Sequence, residues 1–340
     1  MVVLDSVFLF LAGWLGWRFL ERIGLPVASL FGGMLAVGIL SLLGMEFHLP
    51  LWWAWVFQVI LGILIGQRLK KGIGKELKSL WGPAVLVSVW MLISCFLVGY
   101  LFFNLTVTTP LTAILGTAPG GMTEFTLLAI EMGADPLVVV ALQMMRVLVV
   151  MFFIPGLAIY KAGGIKAGSE KSAVRSGWQK GVFVTLAVGV SGGVLGKLLH
   201  LPVPGLLGAA FLVGFVGSVI CELPPLPDDL RVFSQIGIGG LVGLNFTQET
   251  LRGLLKMGLP LIIATVLVMI SSLVLAWVLR KMTAWDELTC LLAAAPGGVA
   301  QFFILAYELG ADSLVVSLLQ LARFLSLLII IPFLLTWLGI

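Results

Sequence analysis

Charged residues are scarce in this sequence. Of its 340 residues only 11% are Asp, Glu, Lys or Arg, while 60% are hydrophobic and the mean hydropathy is +1.17. A water-soluble domain needs far more polar surface than this. Apolar runs of roughly 20 residues, the length that crosses about 30 Å of hydrocarbon, recur along the whole chain. The composition therefore predicts an all-α fold, a polytopic transmembrane helical bundle in contact with the lipid bilayer.

Cysteine and histidine, common ligands of transition metals, are also few. They lie far apart, at Cys95, Cys221, Cys290, His48 and His200. This spacing gives neither a disulfide framework nor a zinc motif, and it offers no cluster that would hold copper or iron. We therefore expect no metal and no cofactor, and we predict that the protein is not an enzyme.

The positive charges are concentrated in a few short stretches. Twelve of the twenty Lys and Arg residues fall in three segments between apolar runs, as expected for cytoplasmic loops. They are Arg18 and Arg22; Arg68, Lys70, Lys71, Lys75 and Lys78; and Lys161, Lys166, Lys171, Arg175 and Lys180. No soluble module accompanies them, so the net charge of +4 does not indicate a direct nucleic-acid partner.

The chain contains one unit twice. Ala118–Gly121 recurs as Ala295–Gly298, and at this offset of 177 residues 20 of 38 positions are identical between 118–155 and 295–332. The register continues upstream, where the glycine pair Gly62 and Gly66 recurs. Such pairs, four residues apart, are typical of close helix packing. The duplication predicts two transmembrane repeats, at 1–160 and 181–340, joined by a basic cytoplasmic linker at 161–180.

Each half has five apolar spans and one interrupted segment, at 109–133 and at 288–309. If these segments cross the membrane, the two repeats are parallel; if they re-enter, the repeats are inverted. With the loop 68–78 placed inside, five crossings put all twelve clustered positive charges on the inner side, which favours inversion. Charges in the second half do not decide between the two topologies. The possibility that the interrupted segments cross the membrane therefore stays open.

A Pro-Gly-Gly sequence interrupts each of these segments. Proline and glycine are poor in helix interiors, and within a membrane the freed backbone groups need protein or water as partners. The helix that follows each interruption presents an N-terminus, which attracts anions. Two such interruptions at matching positions point to the substrate site of a transporter; the alternative is a structural kink.

Two arginines, Arg146 and Arg323, lie near the centres of apolar spans. A charged side chain at this depth is costly unless it is paired or faces water. Each arginine is therefore an anion ligand or a charge partner, or it caps carbonyls at the broken helix. Gln143 and Gln320 lie three residues earlier, on the same helix face.

Glu124 follows the first interruption, and its counterpart in the second repeat is Gln301. A carboxylate without an acidic twin is a candidate proton or cation site, with Thr123 as a hydroxyl neighbour; a solvent-facing glutamate at a helix N-terminus is the alternative. Asp135 and Asp312 are placed to cap the last span of each half. The predicted substrate-binding residues are Pro119, Gly120, Gly121, Thr123, Glu124, Gln143, Arg146, Pro296, Gly297, Gly298, Gln301, Gln320 and Arg323.

The motif A-P-G-G-[MV]-x-[EQ]-F, followed by E-x-G-A-D and Q-x-x-R, resembles the AbrB-duplication membrane proteins of bacteria over the full length of both halves. Members carry the labels ammonia monooxygenase and AbrB-family regulator, and they are distinct from the small DNA-binding AbrB proteins. The family is also similar, at the level of the fold, to inverted-repeat secondary transporters. The resemblance implies a multi-pass protein of the bacterial inner membrane.

We expect a secondary transporter of a small solute, with an anion as the candidate class, working by alternating access around the two interruptions. The alternative is a membrane sensor or regulator that acts indirectly on gene expression. Monooxygenase activity is disfavoured by the ligand content. The sequence leaves open the substrate, the coupling ion and whether the chain forms a homo-oligomer.

Overall fold

The computed structural model describes residues 2–23, 27–45, 47, 50–68, 74–161, 181–201 and 203–338. This part of the chain contains fourteen α-helices and no strand. They are α1 (Val2–Ile23), α2 (Ala28–Leu42), α3 (Leu51–Gly66), α4 (Gly74–Leu105), α5 (Pro110–Thr117), α6 (Met122–Met132), α7 (Pro136–Lys161), α8 (Val182–Leu198), α9 (Pro204–Phe215), α10 (Asp228–Gly243), α11 (Gln248–Met282), α12 (Glu287–Ala294), α13 (Val299–Leu309) and α14 (Ser313–Leu338). The all-α prediction is confirmed, whereas the proposed linker 161–180 lies almost wholly outside the described residues.

Most helices agree with the predicted spans to within a few residues, but α4 and α11 begin earlier than expected. The segment 74–78 was predicted as part of a loop and forms the first turns of α4. Its lysines and glutamate are good helix formers that an apolar pattern does not detect. In α11 the added turns, from Gln248, are separated from the span by a kink at Gly258, whose φ of 43° favours glycine.

The helices group into two compact units, and each unit takes matching helices from both halves of the sequence. Unit 1 holds α1–α3 and α8–α10, together with residues 307–310 at the end of α13. Unit 2 holds most of α4, then α5–α7, α11 and α12, the remainder of α13, and α14. Neither sequence repeat is therefore a compact body by itself.

Within unit 1, glycines on α3 pack directly against the backbone of α9. A Cβ atom on Gly62 would overlap the carbonyl oxygen of Leu206, and one on Gly66 would lie 2.7 Å from that of Ala210. The predicted role of this glycine pair in close helix packing is confirmed. Because the residue numbers rise together along the contact, α3 and α9 run in the same direction.

The matching contact joins α10 to α2. Gly239 packs on the carbonyl of Leu30, and Gly243 packs on that of Met34. These helices also run in the same direction.

By contrast, α3 runs opposite to α10, because Phe57 packs against Gly237 while Gln67, just after α3, donates to the carbonyl of Pro224, just before α10. Since α2 runs in the same direction as α10, α2 and α3 are antiparallel. Because α9 and α10 are the copies of α2 and α3, the parallel pairing of each helix with the other's copy means that these helices are inverted between the two repeats.

Unit 2 has the same relation between its halves. Ser94 and its copy Ser271 touch, with 2.5 Å between their hydroxyl oxygens. Residues that follow Ser94, such as Phe102, cluster with residues that precede Ser271, such as Leu261, so α4 and α11 are antiparallel. A residue in contact with its own copy lies beside the pseudo-twofold axis that relates the two repeats.

Both interrupted segments return to the level at which they start. Thr112, in the first turn of α5, accepts a hydrogen bond (3.1 Å) from the backbone N–H of Asp135, just after α6. Thr289 and Asp312 make the same contact (2.9 Å) in the second half. The segments are therefore re-entrant, and because α4 and α11 are antiparallel they enter unit 2 from opposite ends.

Candidate functional site

The two re-entrant segments in unit 2 are built alike. An eight-residue helix, α5 or α12, leads inward and an eleven-residue helix, α6 or α13, leads back. Helices of these lengths are about 12 and 16 Å long, or about half of a hydrocarbon core of 30 Å. The first break (Ala118–Gly121) and the second break (Ala295–Gly298) therefore lie roughly half a membrane thickness from their points of entry.

Local sequence fixes both ends of the inward helices. The hydroxyl of Thr109 accepts a hydrogen bond (3.2 Å) from the N–H of Thr112 at the start of α5, and the Asp286 carboxylate accepts one (2.9 Å) from Thr289 at the start of α12. Both are ordinary N-caps. At the other end Ala118 is extended (φ −61°, ψ 123°), as a residue before proline prefers, and the helix stops there.

Glycine is needed in both breaks because an aromatic ring occupies the adjacent space. A Cβ atom on Gly120 would overlap the ring of Phe125, and one on Gly297 would overlap the ring of Phe302. Phe125 and Phe302 are themselves completely buried. Each ring packs against its own break, so the chain reverses direction around a fixed apolar side chain.

A buried arginine binds the carbonyl groups of the first break. Arg146 donates from Nη1 to the carbonyl of Ala118 (2.7 Å) and from Nη2 to that of Gly120 (3.3 Å) and to Oε1 of Gln143 (2.7 Å). The amide nitrogen of Gln143 donates in turn to Leu115 and Ala118. Arginine and glutamine together satisfy the C-terminal carbonyls of α5, which carry the negative end of the helix dipole.

The second break has the same arrangement. Arg323 donates to the carbonyls of Ala295 (2.7 Å) and Gly297 (2.6 Å) and to Oε1 of Gln320, while Gln320 donates to Leu292 (2.7 Å) and Ala295 (2.9 Å). Of the alternatives that the sequence left open, the arginines take the one in which they cap carbonyls.

The described residues of the site include two buried positive charges. Arg146 and Arg323 are 3% and 0% exposed, so both lie in the protein interior. The Nε atom of each is buried without a hydrogen-bond partner, and among the described residues neither arginine forms an ion pair with a carboxylate.

The other predicted site residues are placed less completely. Pro119 and Pro296 are buried within the breaks, and Gln301 is half-buried beside Gly298. Thr123 and Glu124 belong to the first turn of α6, but their side chains lie outside the described part of the structure. Their predicted roles in binding and coupling stay predictions.

The acidic turns that follow the re-entrant segments have structural contacts. The carboxylate of Asp135 accepts hydrogen bonds from the N–H groups of Leu137 and Val138, and Asp312 does the same at the start of α14. The predicted N-caps are confirmed. Glu308, at the end of α13, is bound in unit 1 by Arg231 and Gln235.

Sequence reasoning missed several residues that shape the site. Thr112 and Thr289 tie each segment to its end point, and Phe125 and Phe302 fill the breaks. All four are related by the 177-residue offset, so the repeat contained a signal. Hydroxyl and aromatic side chains on apolar helices have many other roles. The offset alone therefore did not distinguish these four residues from other repeated positions.

Comparison with known proteins finds the same duplication. The profile of a family described as transition state regulatory protein AbrB matches the chain twice, over residues 2–162 and over residues 157–339. A protein of Escherichia coli K12, provisionally named regulator AbrB, is 29% identical over 320 residues, which cover 91% of this chain and 89% of that protein. The protein YhjN of Bacillus subtilis 168 is 27% identical over 298 residues, covering 82% of this chain and 77% of YhjN.

Proposed function

The chain belongs to the AbrB family, and from this premise we propose that it is a multi-pass protein of the bacterial inner membrane that carries a small anionic solute. The observation that carries the proposal is the pair of buried arginines at two re-entrant helix breaks. A secondary transporter with inverted repeats binds its substrate at such breaks.

Exposed apolar surface supports a location in the membrane. Four described helices, α4, α7, α11 and α14, contain segments long and apolar enough to cross one. On α4 an apolar residue stands at every fourth position and is 48–71% exposed, at Trp81, Val85, Val89, Ile93 and Leu97. A stripe of this kind along a whole helix would be a liability in water and suits contact with lipid. We propose that the shorter apolar helices of unit 1 cross the membrane as well.

The charge of the site favours an anion. Arg146 and Arg323 bring two positive charges into a buried region where their described partners are neutral carbonyl and amide oxygens. Buried like charges raise one another's energy, more so at low dielectric. An anion near them would offset that repulsion, and the N-termini of α6 and α13 would add to the attraction.

The opposite entry of the two segments suits alternating access. The first break is reached from one end of unit 2 and the second break from the other end. Both lie near half the depth of the bundle. We propose that the solute is exposed to the two sides of the membrane in turn while it stays close to both breaks.

Glu124 is the proposed coupling residue. Protonation would leave the site net positive and favour binding of the anion, whereas ionisation would bring it closer to neutral. This amounts to proton–anion symport. The substitution Glu124→Gln copies the second repeat, which has Gln301 at this position, so the variant should fold normally.

Reconstituted vesicles provide the test. Purified protein in liposomes that contain a pH-sensitive dye would be given an inward gradient of inorganic anions and small carboxylates, each in turn. We expect at least one anion to be taken up with acidification of the lumen. The Glu124→Gln variant should still exchange the labelled anion between the two sides but lose the acidification.

The matched control is Glu131→Gln, which removes an exposed carboxylate from the same helix, α6, and should leave acidification unchanged. Acidification that persists in Glu124→Gln would exclude Glu124 from coupling. Uptake of a cation, with no response to any anion of the panel, would overturn the proposed substrate class.

A second candidate function is a membrane regulator without transport. The name of the Escherichia coli relative and the description of the family favour it. In that case wild-type vesicles would show no solute flux, while deletion of the gene would change transcription, and the change would be reversed by expressing the full chain.

A further inference from the structure

A small cavity lies beside the first break, between helices of the two repeats. Its walls include Thr117 of α5, Leu142 and Arg146 of α7, and Ala264, Thr265 and Val268 of α11. None of these residues is more than 5% exposed. The cavity has a volume of about 10 Å³, close to the minimum that holds one water molecule.

We infer that this cavity binds a single water molecule that links Arg146 to Thr117 and Thr265. The Nε–H group of Arg146 is buried and has no hydrogen-bond partner among the described residues. A buried donor left unpaired is costly, and a buried water typically makes about three hydrogen bonds to such groups. The cavity supplies this number of polar neighbours.

The donors and acceptors match a water molecule. Thr265 donates its hydroxyl proton to the carbonyl of Leu261 (2.8 Å) and Thr117 donates its own to that of Ala113 (2.9 Å). Both hydroxyl oxygens are therefore available as acceptors. A water would accept from Arg146 Nε and donate to the two threonines, which uses every free polar group of the cavity.

A halide ion fits the same walls less well. It can only accept hydrogen bonds, and Arg146 Nε is the one side-chain donor of the cavity that is not already engaged. While the two threonine hydroxyls donate to backbone carbonyls, their oxygen lone pairs face the cavity and would repel an anion. To bind it they would have to give up both of those hydrogen bonds. A halide is also larger than a water molecule, in a cavity at the lower limit for water.

The water would make the two breaks different. Arg323 also has an unpartnered Nε atom, and the counterpart of Thr265 is Ser88, which keeps the hydroxyl, but the residue that corresponds to Thr117 is Ala294. The second break therefore lacks one of the two hydroxyl acceptors, and the three-partner site belongs to the first break. The water joins α5 and α7 of the first repeat to α11 of the second. If these helices shift, the water can move with them, so the Nε–H group of Arg146 keeps its hydrogen-bond partner.

A high-resolution structure of the full chain tests this inference. Crystals of the wild type and of Thr265→Val would be grown both without halide and with bromide. We expect one spherical density about 3 Å from Arg146 Nε and from both threonine oxygens in either buffer, with no anomalous bromide signal. The density should be absent in Thr265→Val and present in Thr265→Ser.

Thermal unfolding gives a second measurement that needs no crystal. Thr265→Val should lower the Tm by roughly 2 °C more than Ser272→Ala, since Ser272 makes the same bond to the carbonyl four residues earlier on α11 but does not line the cavity. An empty cavity in the wild type, an anomalous bromide peak, or a Thr265→Val density equal to that of the wild type would each overturn the water assignment.

Discussion

Replacement of Arg323 by methionine tests how much the arginine contributes to the stability of the second break. The substitution removes three hydrogen bonds and keeps an apolar side chain of similar length. Ala295 still has the amide of Gln320 as a donor, so two acceptors lose their described partner: the carbonyl of Gly297 and Oε1 of Gln320. A buried acceptor without a partner costs about 1–3 kcal/mol.

Two such acceptors would cost roughly 2–6 kcal/mol. Part of this is offset because the charge of Arg323 no longer has to be kept out of water. We expect a net loss of about 3 kcal/mol, which corresponds to a fall in Tm of roughly 6 °C. Arg146→Met removes the equivalent bonds and should give a similar loss.

The native cysteines provide the assay. Cys95 and Cys290 are buried, whereas Cys221 is exposed. In a Cys221→Ser background, a thiol-reactive fluorophore should report the exposure of the two buried thiols as the protein unfolds in detergent. Exposed Arg18, replaced by methionine, is the control. An unchanged or higher Tm for Arg323→Met would show that the hydrogen bonds do not offset the cost of burying the arginine, and that Arg323 does not stabilise the second break.

Three further substitutions test other parts of the structure. Gly62→Ala should destabilise unit 1 by about 1–3 kcal/mol, because the added Cβ overlaps the backbone of α9. Gly82→Ala, with no atom within 4 Å of the new Cβ, should be neutral or stabilise the protein by up to about 1 kcal/mol, since alanine is the better helix former; equal Tm values for the two variants would contradict close packing at Gly62. Asp312→Ala removes the cap of α14 and should cost about 1 kcal/mol in the same thermal assay. A cysteine at Ser172, in a background without the native cysteines, should react with an impermeant reagent only from the cytoplasmic side, because the segment around it is basic; labelling from the periplasm of intact cells would refute the proposed orientation.

Much of the fold could be predicted from the sequence because the duplication supplies each signal twice. The 177-residue offset located both breaks and both arginines, and the positions of Asp135 and Asp312 after their glycines indicated helix caps. Periodicity and caps are local properties, so a sequence displays them directly.

The long-range arrangement could not be predicted in the same way. Nothing in the order of helices indicates that α10 packs on α2, or that each compact unit combines pieces of both repeats. Val27 and Val203 precede α2 and α9 with φ of 57° and 51°, a conformation that β-branched residues rarely adopt. Only tertiary packing can hold them there, and a propensity-based prediction has no access to it.

The contact between Ser94 and Ser271 bears on how such a chain could have arisen. A half-length polypeptide with the same contacts would meet a second copy of itself at this serine, with the two copies pointing in opposite directions. Such an ancestor would have needed to insert into the membrane in both orientations to form its dimer. Gene fusion would then fix the two copies in opposite orientations. The two halves would become free to acquire different residues, as at Glu124 and Gln301.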